Sequence, residues 1–365
     1  MDFGIAFPSY IKAYKDAKIA EDCGFTHAWF YDSHMCYSDV YACMALAAEH
    51  TNHIKLGTLV SILGNRIAPV TAASIATINE LAPGRVILGV GTGFTGRNVM
   101  GMPPIKLQTM KEHITVIRDL LSGDEALYAE GEKERLIRFL HPDMHYVNVS
   151  ETVPIHMASN GPKALRMVGQ LADGWVTIGL DSTHIASSVS AIKKSAQESG
   201  RPMDSVYTTN LTSGCILRPG ENIMSSRVIE QVGPYAILLL HTNWDPKEMK
   251  VGPFAPKEVA AIARRYFEEH IMKMETPLEK RYQEMHTGHI TFLREGEHQY
   301  LSPELIKLAT LTGEPGEVRD RIRELEDAGV SNIALNVCGV PQEDGRPKQA
   351  LQMITEFGNE VIGKL

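Results

Sequence analysis

The sequence predicts an α/β fold, a closed (β/α)8 barrel with insertions, and three observations carry that prediction. Short apolar, β-rich runs alternate with amphipathic helical runs along most of the chain. Nearly all of these runs are apolar on both faces, as strands of a parallel sheet covered by helices must be. The runs number eight, the count that closes such a barrel. The alternative is an open doubly wound sheet. It lacks its usual signature: Gly89-Val90-Gly91-Thr92-Gly93 falls at the fourth strand, with no Gly-x-Gly-x-x-Gly and following acidic residue.

The elements follow in order. Residues 3–7 form the first strand, and 11–23 a helix stopped by Gly24. Strand two covers 27–31 and is followed by an Ala- and Leu-rich helix at 40–50. Strand three covers 54–60, and the helix at 70–81 closes at Pro83-Gly84. Strand four is 86–90, followed by a long helix at 107–121. Strand five is 154–158, with a helix opening at Pro162, and strand six is 175–179, with a helix at 185–199. Strand seven spans 206–217; the helix at 317–328 precedes strand eight at 332–337, and 351–362 closes the chain as a helix. Residues 122–153 and 219–312 exceed ordinary loop lengths, and the second carries helices of its own, most clearly at 257–274. Without a Ser/Gly-rich linker or an internal repeat, 1–365 reads as a single barrel domain. The two insertions are candidates for a substrate lid or a subunit contact, so a homodimer or higher homo-oligomer is expected.

Composition narrows the function classes. Of 365 residues, 44% are hydrophobic and 22% charged, the balance of a globular protein with a sizeable core. A net charge of −8 argues against nucleic acid as a partner. The apolar run at 235–240 is far short of the roughly 18 residues a membrane helix needs. Met1-Asp2-Phe3-Gly4 has neither a basic n-region nor an apolar h-region, and the five cysteines are scattered, so a reduced, cytoplasmic protein is expected.

In a barrel of this kind chemistry sits where strands end and the following loops begin. The segments there are Tyr31-Asp32-Ser33-His34, Val60-Ser61-Ile62, Gly91-Thr92-Gly93-Phe94 and Ser159-Asn160-Gly161-Pro162-Lys163. Each taken alone could be a polar loop that caps the next helix. Ser159-Asn160-Gly161-Pro162 is the sharpest: Pro162 suits the first helical position, and the free N–H groups with the helix dipole make an anion site. Gly91-Thr92-Gly93 allows close backbone approach to a ligand. The two turns together point to a phosphate-bearing cofactor. His34, near Asp32, is a candidate general acid or base. His286 and His289, in His-Thr-Gly-His, have a spacing compatible with metal, but no further ligands complete a set, so no metal is expected. They are instead candidates for a substrate-facing lid, hinged at Gly288 and accompanied by Trp244. Cys36 and Cys43 read as small core residues.

These segments, in this order, resemble the bacterial luciferase-like superfamily of flavin- and deazaflavin-dependent oxidoreductases. The resemblance is carried by Trp29-Phe30-Tyr31-Asp32-Ser33, Ile54-Lys55-Leu56-Gly57-Thr58, Asn79-Glu80-Leu81-Ala82-Pro83-Gly84-Arg85, Leu88-Gly89-Val90-Gly91-Thr92-Gly93, Ala158-Ser159-Asn160-Gly161-Pro162, Leu171-Ala172-Asp173-Gly174-Trp175 and Thr312-Gly313-Glu314-Pro315. It implies a flavin-type cofactor at the barrel mouth, with the phosphate near Ser159, Asn160 and Gly161. It also implies a non-prolyl cis peptide under the ring, among Leu59, Val60 and Ser61. Leu63-Gly64-Asn65-Arg66-Ile67-Ala68-Pro69 departs from the Asn-Pro…Arg-His-Pro pattern frequent in deazaflavin reductases, which favours FMN. The leading expectation is therefore a two-component monooxygenase. It would take reduced FMN from a separate flavin reductase and use O₂ on a small organic substrate. The second is an F420-dependent reductase or dehydrogenase moving hydride. The third is a non-catalytic flavin-binding protein, against which the polar mouth of Asp32, His34 and Asn160 counts.

Overall fold

A computed structural model describes residues 1–201, 206–241 and 257–365. Eight parallel strands form the barrel: β1 (Asp2–Phe7), β2 (His27–Phe30), β3 (Lys55–Thr58), β4 (Val86–Gly91), β5 (Ile155–Ala158), β6 (Gly174–Ile178), β7 (Tyr207–Thr212) and β8 (Asn332–Asn336). Each pairs with the next. Phe3 opposite Ile333 joins β8 back to β1, and Leu56 opposite Val86 joins β3 to β4, so the sheet closes.

Strand periodicity divides the apolar residues into two layers. Phe3, Ile5 and Phe7 point outward under the helices, in one large cluster with Leu56, Leu88 and Ile333. Ala6, Trp29, Ile87, Val176 and Ala334 fill the barrel interior. The Trp29 indole claims so much of that space that a Cβ on Gly57 would stand 2.3 Å from it, and one on Gly4 2.5 Å. Only glycine fits at either strand position.

The bottom of the barrel is held by several of the motif residues. Arg85 donates to the carbonyls of Ile54 at 3.0 Å and Thr51 at 3.2 Å. Asp173 Oδ2 accepts from Ile155 N and Arg118 Nη2, both at 2.9 Å. His27 and His156 are buried there, beside Tyr207, and burial pushes their imidazoles down to about 3 and about 4.

Three elements differ from the sequence expectation. Strand seven ends at Thr212, not at 217; after Ser213 the chain leaves the barrel, and Gly214–Ile216 pairs with Leu311–Gly313. A Cβ on Gly214 would stand 2.5 Å from the Phe357 ring, so this exit also requires glycine. The insertion at 122–153 contains an antiparallel hairpin, Ala126–Glu130 with Lys133–Ile137, turning at Gly131 with φ 63°. In the long insertion the α-helix Lys257–Tyr266 passes into a π-turn, Phe267–Ile271, rather than running unbroken to 274. That insertion has its own apolar core, including Val232, Ile237, Tyr266, Tyr300 and Ile306. Among the described residues no helix is long and apolar enough to cross a membrane.

Candidate active site

The C-terminal ends of β3, β4 and β5 meet at one spot. The peptide between Leu59 and Val60, just past β3, is cis, where the family resemblance placed such a bond. A Cβ on Gly91 at the end of β4 would lie 2.6 Å from Val60 Cγ2 and 3.7 Å from the Ala158 methyl at the end of β5. Val60, Gly91 and Ala158 are therefore neighbours, and Ser159-Asn160-Gly161 continues directly from them. Gly93 has φ 86° and starts the short helix Phe94–Asn98; Thr92 ties this loop down by accepting from Ile105 N at 3.0 Å.

Ser159 begins the turn that leads into the helix at Pro162. Its carbonyl accepts from Trp175 Nε1 at 2.7 Å, which fixes the loop. Its hydroxyl is buried and has no partner. Gly161 caps the helix Pro162–Leu171 without a side-chain cap, and a Cβ on Gly161 would meet no atom within 4 Å. The first N–H groups of a helix have no intrahelical acceptor. An orphaned hydroxyl, uncapped helix N–H groups and open space beside Gly161 fit a phosphate.

The ring platform is clamped from below. Asp32 Oδ2 accepts from Ile62 N at 3.0 Å and Ser61 Oγ at 3.3 Å, and pairs with Arg66 Nη1 at 2.5 Å. Arg66 also reaches Asp39 Oδ2 at 2.8 Å and lies over the Tyr41 ring, 5.1 Å from its centre. Ser61 Oγ is within 2.9 Å of Tyr41 Oη. Asp32, a candidate catalytic residue, anchors the segment after the cis peptide through Oδ2, which is committed to Arg66 and the backbone. Ser61, a candidate cofactor contact, is 1% exposed and bonds its hydroxyl to the same anchor.

His34 stands apart from Asp32. Its Nδ1 is 3.2 Å from Asn65 Nδ2 and its Nε2 3.3 Å from Met100 Sδ. The amide donates to Nδ1, so the ring proton sits on Nε2 against a weak acceptor that a better one can replace. His34 is half-buried at the mouth, with its Nε2–H directed at that weak acceptor.

His286 and His289, the candidate lid residues, are packed in place. His289 is 8% exposed, packed into the mouth with Nε2 3.3 Å from Thr95 Oγ1. His286 Nδ1 donates to Tyr282 O at 2.7 Å. Burial pushes the His286 imidazole down to about 4, and burial with the neighbouring His286 and His241 holds His289 well below the usual histidine range. Gly288, with φ 72°, is a tight turn: a Cβ there would lie 2.6 Å from Phe292 O. Trp244 lies outside the described residues. Among the described residues no group of three or more His, Cys, Asp or Glu could hold a metal ion. Sequence reasoning missed Tyr37, Asn65, Arg66 and Asn336. The departing segment Asn65-Arg66 was the available signal for two of them.

The luciferase-like monooxygenase family model matches residues 8–332. Across the full length of both chains the sequence is 29% identical to a 5,10-methylenetetrahydromethanopterin reductase of Methanolobus tindarius. An F420-dependent glucose-6-phosphate dehydrogenase of Intrasporangium calvum is 26% identical over 82% of this chain and 78% of its own. Among solved structures, the coenzyme F420-dependent tetrahydromethanopterin reductase of Methanopyrus kandleri aligns at a TM-score of 0.68 and 24% identity, over 99% of this chain and 98% of its own.

Proposed function

The chain belongs to the luciferase-like monooxygenase family, and from that premise we propose that it is an F420-dependent oxidoreductase, moving hydride to or from a small organic substrate. The observation that carries this reading is sequence similarity, over the full length to the Methanolobus tindarius reductase and over 82% of this chain to the F420-dependent dehydrogenase. It displaces the FMN monooxygenase with a partner reductase, which rested on the unusual segment 63–69. In this chain that segment supplies Asn65 to His34 and Arg66 to Asp32.

The division of labour follows from the geometry. Ser159, Asn160, Gly161 and the first turn of the helix at Pro162 would hold the phosphate by charge-assisted hydrogen bonds. The Leu59–Val60 peptide, with Gly91 and Ala158 alongside, would support the ring. Bound there, the deazaflavin supplies the two-electron redox chemistry that amino-acid side chains lack. His34, neutral with its proton on Nε2, would donate a hydrogen bond from that N–H to the heteroatom next to the reacting carbon of the substrate. Asp32 and Arg66 keep the platform in register.

The test is anaerobic: incubate the protein with F420 and a panel of alcohols, or with reduced F420 and a panel of carbonyl and iminium compounds. Loss or gain of oxidised deazaflavin absorbance without oxygen supports the reading. Turnover only with reduced FMN and consumed oxygen would restore the monooxygenase.

A further inference from the structure

One turn of the long insertion is seated on the barrel mouth by three successive carbonyl oxygens. Tyr37, past β2, donates its hydroxyl to His289 O at 2.6 Å. Asn336, the last residue of β8, donates its side-chain amide to Ile290 O at 3.1 Å. Gly339 N donates to Thr291 O at 2.7 Å. The Asn336 amide is itself aimed, because Tyr31 Oη donates to its Oδ1 at 2.6 Å. Between these bonds Ile290 has φ 52°, a left-handed backbone that a β-branched residue strongly disfavours. Such a conformation persists where its surroundings over-determine it, and the three hydrogen bonds do that. The result is an Ile290 side chain 8% exposed, in one apolar cluster with Tyr31 and Leu59 and with Val60 packed against it.

We propose that Ile290 is the wall of the reaction chamber beside the Leu59–Val60 platform, and that Tyr37 and Asn336 are positioning residues that hold it there. The proposal rests on the F420 reading above. An apolar wall suits hydride transfer, which moves a charge that water would solvate and a wet site would leak. The same side chain limits the size of the group that a substrate carries on its reacting carbon.

The experiment uses the full chain loaded with F420 and reads two quantities: iodide quenching of the bound deazaflavin, and hydrogen exchange of amides 286–293. Tyr37→Phe removes one hydroxyl and keeps the ring. Expected are exchange of the strap about three- to tenfold faster, the range one hydrogen bond is worth, and steeper iodide quenching, with F420 affinity within about twofold of wild type. Ile290→Ala should steepen quenching further. Wild-type quenching and exchange in both variants overturn the proposal. If the wild-type chain binds no F420, the F420 reading is what has failed. Exchange in the unloaded Tyr37→Phe protein then decides the latch alone: unchanged exchange refutes it.

Discussion

Nδ1 of His34 stands 3.2 Å from the side-chain nitrogen of Asn65, 31 residues further along the chain. That pairing sets the tautomer: with an amide N–H pointing at Nδ1, the imidazole keeps its proton on Nε2. The nearest partner of Nε2 is a thioether, Met100 Sδ at 3.3 Å. The Nε2–H therefore points at a weak acceptor that a better hydrogen-bond acceptor can replace.

His34→Ala should lower turnover by about 10²–10³-fold, the usual cost of removing one hydrogen-bond donor to developing charge, while F420 affinity stays near that of wild type. Asn65→Asp would place an acceptor where a donor stands. It should invert the tautomer and lower kcat, with a shifted pH profile. Steady-state kinetics with fluorescence titration checks both, and full activity in His34→Ala removes the donor role.

A second expectation concerns the phosphate cradle. Gly161→Asp puts a carboxylate into the open space beside the helix start. At roughly 1.5–3 kcal/mol for each hydrogen bond to a charged group, F420 affinity should drop by one to two orders of magnitude. Ser159→Ala removes one donor and should cost about tenfold by the same measure. Calorimetric titration reads both, and unchanged affinity in Gly161→Asp moves the phosphate elsewhere.

Asp32→Asn tests the anchor. Asp32 and Arg66 side chains are 1% and 16% exposed, so the pair is largely removed from water. Breaking such a pair costs about 3–5 kcal/mol. Arg66 keeps Asp39, so the low end, about 3 kcal/mol, is expected. The chemical-denaturation midpoint should fall and F420 affinity with it. A variant that binds F420 weakly yet unfolds like wild type would make Asp32 a ligand instead.

Acid should destabilise the fold through its buried histidines. Burial holds His27 down to about 3, and His156 and His286 to about 4, against an unfolded value of 6.5. As pH falls below 6.5 the unfolded chain takes up protons that the folded chain refuses, so stability declines until the pH reaches about 4 to 3. Each group adds a slope approaching about 1.4 kcal/mol per pH unit. Urea midpoints at a series of pH values check this: His156→Gln should flatten the decline, and a flat wild-type curve over that window contradicts the assignment.

Much of the frame was legible because local signals and burial agreed. The helix Val40–His50 has Asp39 as its cap, accepting from Tyr41 N and Ala42 N, and Leu107–Leu121 is long and strongly amphipathic. Glycine-rich strand ends marked the mouth at Gly91 and Gly161. What sequence hid were commitments between distant residues. Asp32 looked free beside His34 until folding brought Arg66 and Ile62 N onto it, about 30 residues away. His286 and His289 looked like polar tips because adjacent polar residues suggest a loop in water. Tyr37 and Asn336 pull that loop into the mouth from 252 and 46 residues away. The end of strand seven was hidden for a similar reason: apolar residues resume just past it at Cys215-Ile216-Leu217, and the chain turns out where Gly214 is crowded by Phe357.

Equilibrium titration of the purified chain and of Gly161→Asp with F420 and, separately, with FMN decides whether this barrel mouth takes a deazaflavin. Expected are saturable F420 binding to the wild-type chain, weakened about ten- to a hundredfold in the variant in line with the loss of one charged hydrogen bond, and weaker binding of FMN. Tight FMN binding with no response to F420 refutes the deazaflavin reading.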